Sequence, residues 1–417
     1  MNDKNRMDYR QYSLRDFENN GQPITQRARD FFLYSSYMAE NRQNNYRLAL
    51  ESGTGSSIVL HQTNDFGKKD FIGFVSNDYL GFSQHPKVVE AGNVALHKYG
   101  AGSGASPLIG GLLEIHQHLE QKIAAFFGQE DAITFTSGFG TNAGVLNALL
   151  GQSDLAILDM YVHTSVISGC ARTNTKRFLH NNMADLERIL ENTSNRYANR
   201  VIVVDGVYSQ DGDIAPLNVI CEIAHRHGAF LIVDDAHGIG IWGNTGRGIS
   251  EHFSVLKSVD LITGTFSKTF GSVGGYAVGN KEIINLLKYF SNENIFSAAA
   301  TPQSVGSIMK AIDLIDEEPI WRSRIWDNIN HFKIGLESIG IDFGKTNSAI
   351  FPIMVRDNTK AMKMADILYQ NGIFVNPILY PAVPKKQTRL RMSILATHTF
   401  EQLDKTLNLL EWLFKQQ

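Results

Sequence analysis

A chain of 417 residues is longer than a single hydrophobic core usually grows, so two or three lobes are expected. Hydrophobic residues at 43%, charged residues at 19% and a formal net charge of −3 fit a soluble enzyme and offer no basic surface to nucleic acid or an anionic membrane. Two distant cysteines (Cys170 and Cys221), an N-terminus without the apolar core of a signal peptide, and no apolar run near the ~18 residues of a membrane helix point to a cytoplasmic chain, with buried cysteines and neither metal nor membrane span expected.

Residues 1–70 are polar, helix-prone up to Leu50, and read as a helical arm that packs on another surface such as a second subunit. Residues 71–76 form a short strand that runs into NDYLGFSQHP, where Asn77 either offers its amide to a substrate or simply makes the turn. Helical spacing over 87–99 leads into GAGSGASPLIGG at 100–111. A dinucleotide fingerprint follows a strand and opens a helix. This stretch follows a helix, so it reads as a flexible glycine loop beside a ligand and not as an NAD site. After a helix over 114–127, a strand (132–136), the turn Ser137-Gly138-Phe139-Gly140 and a helix from Thr141 make a ready site for a phosphate, because free backbone N–H groups and the helix dipole favour an anion there.

The next strand covers 155–159, with His163 just beyond it, either a capping residue or a flat ring that stacks on an aromatic cofactor. A strand over 201–204 ends on DGVYSQDGDIAPL, which carries Ser209. A helix over 219–227 precedes the apolar strand 230–233, which ends on Asp234, Asp235 and His237. Another short strand from Leu261 ends on Thr265, Ser267 and Lys268, followed by a glycine-rich turn. Strands alternating with helices from about 130 to 280 predict an α/β fold, a mainly parallel sheet wrapped by helices. From Lys281 the pattern turns helical, then gives the short strands AIFPIMV, IFVNPI and TRLRMSIL and a closing helix. The expected division is an arm (1–70), a large domain (71–310) and a smaller C-terminal α+β domain (311–417).

In such a sheet, ligands gather beyond the carboxyl ends of the strands, so the polar clusters at 234–237 and 265–268 open into one crevice. A carboxylate, an imidazole, hydroxyls and a lone lysine are the inventory of a pyridoxal 5′-phosphate (PLP) site. Asp234 and Asp235 point to opposite faces of their strand, so only one faces that site. Asp235 and His237 could instead cap the following turn. Lys268 has no acidic neighbour in sequence, and desolvation there lowers its pKa toward the free amine that covalent chemistry needs.

The combination of SNDYLGF, TSGFGTN, His-Thr-Ser at 163–165, DGVYSQDGD, VDDAHGIG, GTFSKTFGSVGGY and RLRMSILATHT resembles the α-oxoamine synthases, PLP enzymes of fold type I, over residues 70–417. The resemblance implies a homodimer with active sites at the subunit interface that condenses an amino acid with an acyl thioester, delivered by coenzyme A or a carrier protein, and releases CO2. It makes Lys268 the Schiff-base lysine, Asp234 the partner of the pyridinium nitrogen, His237 the partner of the cofactor's phenolic oxygen and His163 the ring that stacks on it. It places Ser137, Gly138, Phe139, Thr265 and Ser267 around the phosphate and Ser209 near the ring, with Arg391 on the substrate carboxylate and Asn77 near the substrate. GTFSKTFGSVGGY, FVNPILYPAVP and HNNMADLERIL look most like the serine palmitoyltransferases, while SNDYLGFSQHP looks equally like the 8-amino-7-oxononanoate synthases. Two departures stand out: Pro107-Leu108 is apolar where relatives carry a basic residue, and Ala299 stands where they place a serine used on the partner subunit's phosphate. The favoured substrates are L-serine and a long-chain acyl-CoA. The rivals are alanine with a pimeloyl thioester, cysteate, an aminotransferase, and a non-catalytic scaffold subunit, which would be expected to lack Lys268.

Overall fold

The computed structural model describes residues 9, 12–18, 21–41, 46–61, 67 and 69–416; the rest of the expected arm lies outside the described residues. Its strands are β1 (Ser57–Val59), β2 (Asp70–Gly73), β3 (Asp131–Phe135), β4 (Leu155–Asp159), β5 (Asn174–Phe178), β6 (Arg200–Asp205), β7 (Phe230–Asp234), β8 (Leu261–Thr265), β9 (Gly275–Gly279), β10 (Ile350–Met354), β11 (Ile373–Phe374), β12 (Asn376–Ile378) and β13 (Arg389–Ser393).

Seven of them form the central sheet in the order β3-β9-β8-β7-β6-β4-β5. β9 alone runs against its neighbours, so the sheet is mainly parallel, as the alternation of strands and helices predicts. Its middle strands are nearly unbroken apolar runs (LAILD, RVIVVD, FLIVD) because helices cover both faces and no position needs to be polar. These three and β8 end on a group with chemistry: Asp159, Asp205, Asp234 and Thr265.

The helix Gly138–Leu149 approaches the sheet unusually closely. A Cβ on Gly138 would lie 2.7 Å from Thr265 Cβ, and one on Gly275 would lie 2.2 Å from Thr141 Oγ1. Two missing side chains therefore let the N-terminus of that helix rest against the ends of β8 and β9.

A smaller lobe holds the antiparallel sheet β10-β13-β12 and the sheet β1-β2-β11, in which β2 pairs in parallel with β11. Chain from both ends of the sequence thus builds it. Residue 310 falls inside the unbroken helix Pro302–Glu317. In the N-terminal arm the helix is Ile24–Glu40, shorter than the helix-prone stretch; its Tyr34 and Met38 pack with Tyr9 and with Met362 of the same chain. Cys170 and Cys221 are free and buried. Among the described residues no helix is long and apolar enough to cross a membrane.

Candidate active site

The carboxyl ends of the central strands and the N-terminus of Gly138–Leu149 enclose an open cavity of about 270 Å³. Ser137, Gly138, Phe139, His163, Ser209, Asp234, His237, Thr265, Ser267 and Lys268 all line it. Asn77 and Arg391 lie beside it. Arg391 donates from Nε to the Ser209 carbonyl (2.7 Å), from Nη1 to Ser393 Oγ (2.9 Å) and from Nη2 to Asn77 Oδ1 (3.2 Å).

Lys268 Nζ makes no hydrogen bond or ion pair among the described residues. Burial pulls its pKa down to about 8, against the charges of Asp234 and Asp205. Asp234 has both oxygens served: Oδ2 accepts from Asn142 Nδ2 (2.6 Å), and Oδ1 from the Ala236 N–H (3.0 Å). Asn142 is in turn fixed by Thr263, whose hydroxyl donates to its Oδ1 at 2.7 Å. Both oxygens are thereby fixed, and the side chain lines the cavity. Asp235 points the other way, as alternation along a strand requires. It accepts from the Ile249 N–H (2.7 Å) beneath the sheet edge, and burial raises its pKa to about 7. Asp235 thus serves the Ile249 N–H and not the cavity, whereas His237 lines the cavity.

His237 bonds through Nδ1 to the Tyr79 hydroxyl at 2.7 Å. His163 caps the helix Thr164–Gly169 with Nδ1, which accepts from Ser165 N–H (3.3 Å) and lies 2.7 Å from Ser165 Oγ; the residue is exposed and lines the cavity. Ser137 Oγ caps the helix Gly138–Leu149 by accepting from Gly140 N–H (2.9 Å). The first N–H groups of that helix have no partner within it and belong to residues that line the cavity, which makes a nest for an anion. Thr265 Oγ1 donates to the Gly274 carbonyl (2.8 Å) and accepts from Ser267 N–H (3.1 Å), so it shapes the turn before Lys268.

Three residues of this site escape the sequence reading: Asn142, Tyr79 and Asp205. Asp205 is 3% exposed, pairs in register with Asp234 across β6 and β7, and accepts weakly from His163 N–H (3.4 Å). Burial, together with the charge of Asp234, pushes its pKa well above the carboxylate range. Its signal was present, since VVDG ends a strand just as VDDA does. Ala299 lies against the glycine loop, its N–H donating to the Ala105 carbonyl (3.0 Å), and Leu108 is exposed.

These residues fit PLP. An unpaired amine, a carboxylate fixed by two hydrogen bonds, an imidazole and a helix N-terminus surround one cavity, and they match the aldehyde, the pyridinium nitrogen, the ring and the phosphate in turn.

The family described as aminotransferase class I and II matches residues 69–410. An 8-amino-7-oxononanoate synthase of Thermoanaerobacter pseudethanolicus is 39% identical over 369 residues, covering 88% of this chain and 92% of the relative. A serine palmitoyltransferase of Sphingobacterium spiritivorum is 40% identical over 345 residues, covering 82% and 86%. Among solved structures, a serine palmitoyltransferase from S. paucimobilis with bound PLP superposes with a TM-score of 0.89 at 30% identity, covering 94% of this chain and 99% of that one.

Proposed function

The chain belongs to the aminotransferase class I and II family and, within it, to the PLP-dependent α-oxoamine synthases, and from that premise we propose that it condenses L-serine with a long-chain acyl-CoA to a 3-ketosphinganine-type product, releasing CO2 and the thiol. The observation behind this reading is the cavity itself, in which Lys268 faces Asp234 and His237 with Arg391 close by. Bound PLP supplies an electron sink for the charge that develops at the substrate Cα.

The protein does the rest. Lys268, its pKa near 8, is the group that holds the cofactor and then moves the Cα proton. Asp234, fixed by Asn142, keeps the pyridinium nitrogen protonated. The Nε2 of His237 addresses the phenolic oxygen, and His163 offers its ring face. The Arg391 guanidinium, held at three points, presents its fork to the amino acid's carboxylate.

Relatives that make 8-amino-7-oxononanoate favour a second reading, alanine with a pimeloyl thioester, and they match as well as the palmitoyltransferases do. Cysteate as the amino acid is a third. A scaffold subunit fits poorly with a lysine set in this cavity. A homodimer in the cytoplasm is part of the proposal, supported by the exposed apolar residues Leu108, Ile109, Phe139 and Phe296. Light scattering should then give twice the 46.5 kDa of one chain.

The test mixes purified protein and PLP with single amino acids, then with acyl thioesters of increasing length, and counts released thiol and CO2. Turnover is expected with serine and a long chain. Turnover confined to alanine and pimeloyl thioester would replace this reading with the second. Lys268→Ala should abolish the visible absorption of the bound cofactor and lower turnover by several orders of magnitude; a variant that keeps both removes Lys268 from its role.

A further inference from the structure

Tyr79 lies behind the cavity wall, with 0% of its surface exposed. Its loop is firmly pinned. Asp78 accepts from the N–H groups of Phe82 and Ser83 (2.9 Å each), and the Tyr79 carbonyl accepts from Ala396 N–H (2.7 Å). The phenol reaches two acceptors, His237 Nδ1 at 2.7 Å and Asn77 Oδ1 at 3.3 Å, but it has one proton to give.

The surroundings decide where that proton goes. Asn77 Oδ1 already accepts from the Arg391 guanidinium (3.2 Å) and lies 3.5 Å from Ser393 Oγ. His237 is buried beside the positive charges of Lys268 and Arg391, and burial first, then those charges, hold its pKa well below the usual value. It is therefore a neutral ring with one donor nitrogen and one acceptor nitrogen. The shorter contact is to Nδ1, and a phenol that donates there leaves Nε2 as the N–H.

We propose that Tyr79 is a positioning residue for the reaction: its hydroxyl donates to His237 Nδ1, locks the imidazole as the Nε2–H tautomer and so fixes a hydrogen-bond donor toward the cavity. The inference rests on the reading of His237 as the neighbour of the cofactor's phenolic oxygen. A fixed N–H stabilises that oxygen as an anion, whereas the other tautomer would turn a lone pair toward it. Because the same phenol oxygen lies beside Asn77 and, through it, Arg391, the donor and the carboxylate-binding fork are set by one rigid loop.

Tyr79→Phe removes only the hydroxyl and keeps the ring in the core. Two measurements test the idea. In PLP-free protein, the imidazole nitrogen shifts of His237 should report Nε2–H in the wild type and a mixture of tautomers in Tyr79→Phe; Nδ1–H in the wild type overturns the proposal. In PLP-loaded protein, Tyr79→Phe should move the pH midpoint of the visible band upward by about half a unit or more and lower kcat about tenfold, as loss of a partner behind a contacting group does. Neither change should add to those of His237→Asn. An unmoved midpoint, or a shift of equal size in the His237→Asn background, makes Tyr79 a packing residue. Should the wild type form no visible band at all, the cofactor reading fails, and the nitrogen shifts still decide the role of Tyr79.

Discussion

An amine reacts with an aldehyde only while it is unprotonated, and the position of Lys268 controls how often that is so. An ordinary lysine near 10.5 would be almost wholly charged at neutral pH, whereas burial brings Lys268 to about 8. The rate of covalent PLP uptake by cofactor-free protein should therefore climb about tenfold per pH unit below 8 and level off above it. Stopped-flow absorbance between pH 6 and 10 checks this, and a rate still climbing past pH 9 would mean that the amine is solvated. The cluster of Asp234, Asp235, His237 and Lys268 could be read from sequence because apolar strands precede it, while the choice of Asp234 over Asp235 came from the family resemblance. Asn142 and Tyr79 could not, because their partners Asp234 and His237 lie 92 and 158 residues away. Nothing local distinguishes a helical asparagine that steadies a carboxylate from one that faces water.

Segments between the strands hold this arrangement still. His180, just past β5, donates to Asp159 at the end of β4 (2.9 Å) and to Asp213 (2.8 Å) in the loop that carries Ser209. Burial opposes its charge, but hydrogen bonds and charge from the two aspartates prevail and raise its pKa to about 9. Because the folded value lies above that of the unfolded chain, the bolt's stability is complete below about pH 6.5 and is lost as pH rises through 9. His180→Asn should thus lower Tm by roughly 2–4 °C at pH 7 and by almost nothing at pH 10. A difference that stays constant across that range would show that the imidazolium is not what bolts the loop. β5 itself is invisible in the sequence, since NTKRF is an edge strand whose first four residues are exposed and polar. β9 is hidden for another reason: GYAVG starts on Gly275, needed for the close approach of Gly138–Leu149, and ends on Gly279, where a Cβ would meet the Asp260 carbonyl at 2.7 Å, and such glycines read as a turn.

At the scale of the whole molecule, the two lobes meet where β13 crosses the 209–211 loop. Arg389 and Arg391 lie two residues apart and so share one face of the strand. Arg391 donates to the Ser209 carbonyl, while Arg389, 1% exposed, donates to the Gln210 carbonyl (2.9 Å) and pairs with Asp211 (2.7 Å). The resemblance singles out Arg391 in RLRMS and passes over its neighbour, because a buried guanidinium that joins two lobes becomes recognisable only once they are assembled. Arg389 thereby anchors the strand from which Arg391 bonds the Ser209 carbonyl beside the cavity. Arg389→Met would keep the bulk but leave the Gln210 carbonyl without its donor and Asp211, at 30% exposure partly solvated, without its cation, a loss of about 2 kcal/mol. The expected result is a lower Tm together with a several-fold higher KM for the amino acid and a smaller change in kcat, since the carboxylate fork shifts while Lys268 and Asp234 stay in place. A fall in Tm with KM unchanged would mean that the seam joins the lobes without aiming Arg391, and that the Ser209 carbonyl and Asn77 orient the fork by themselves.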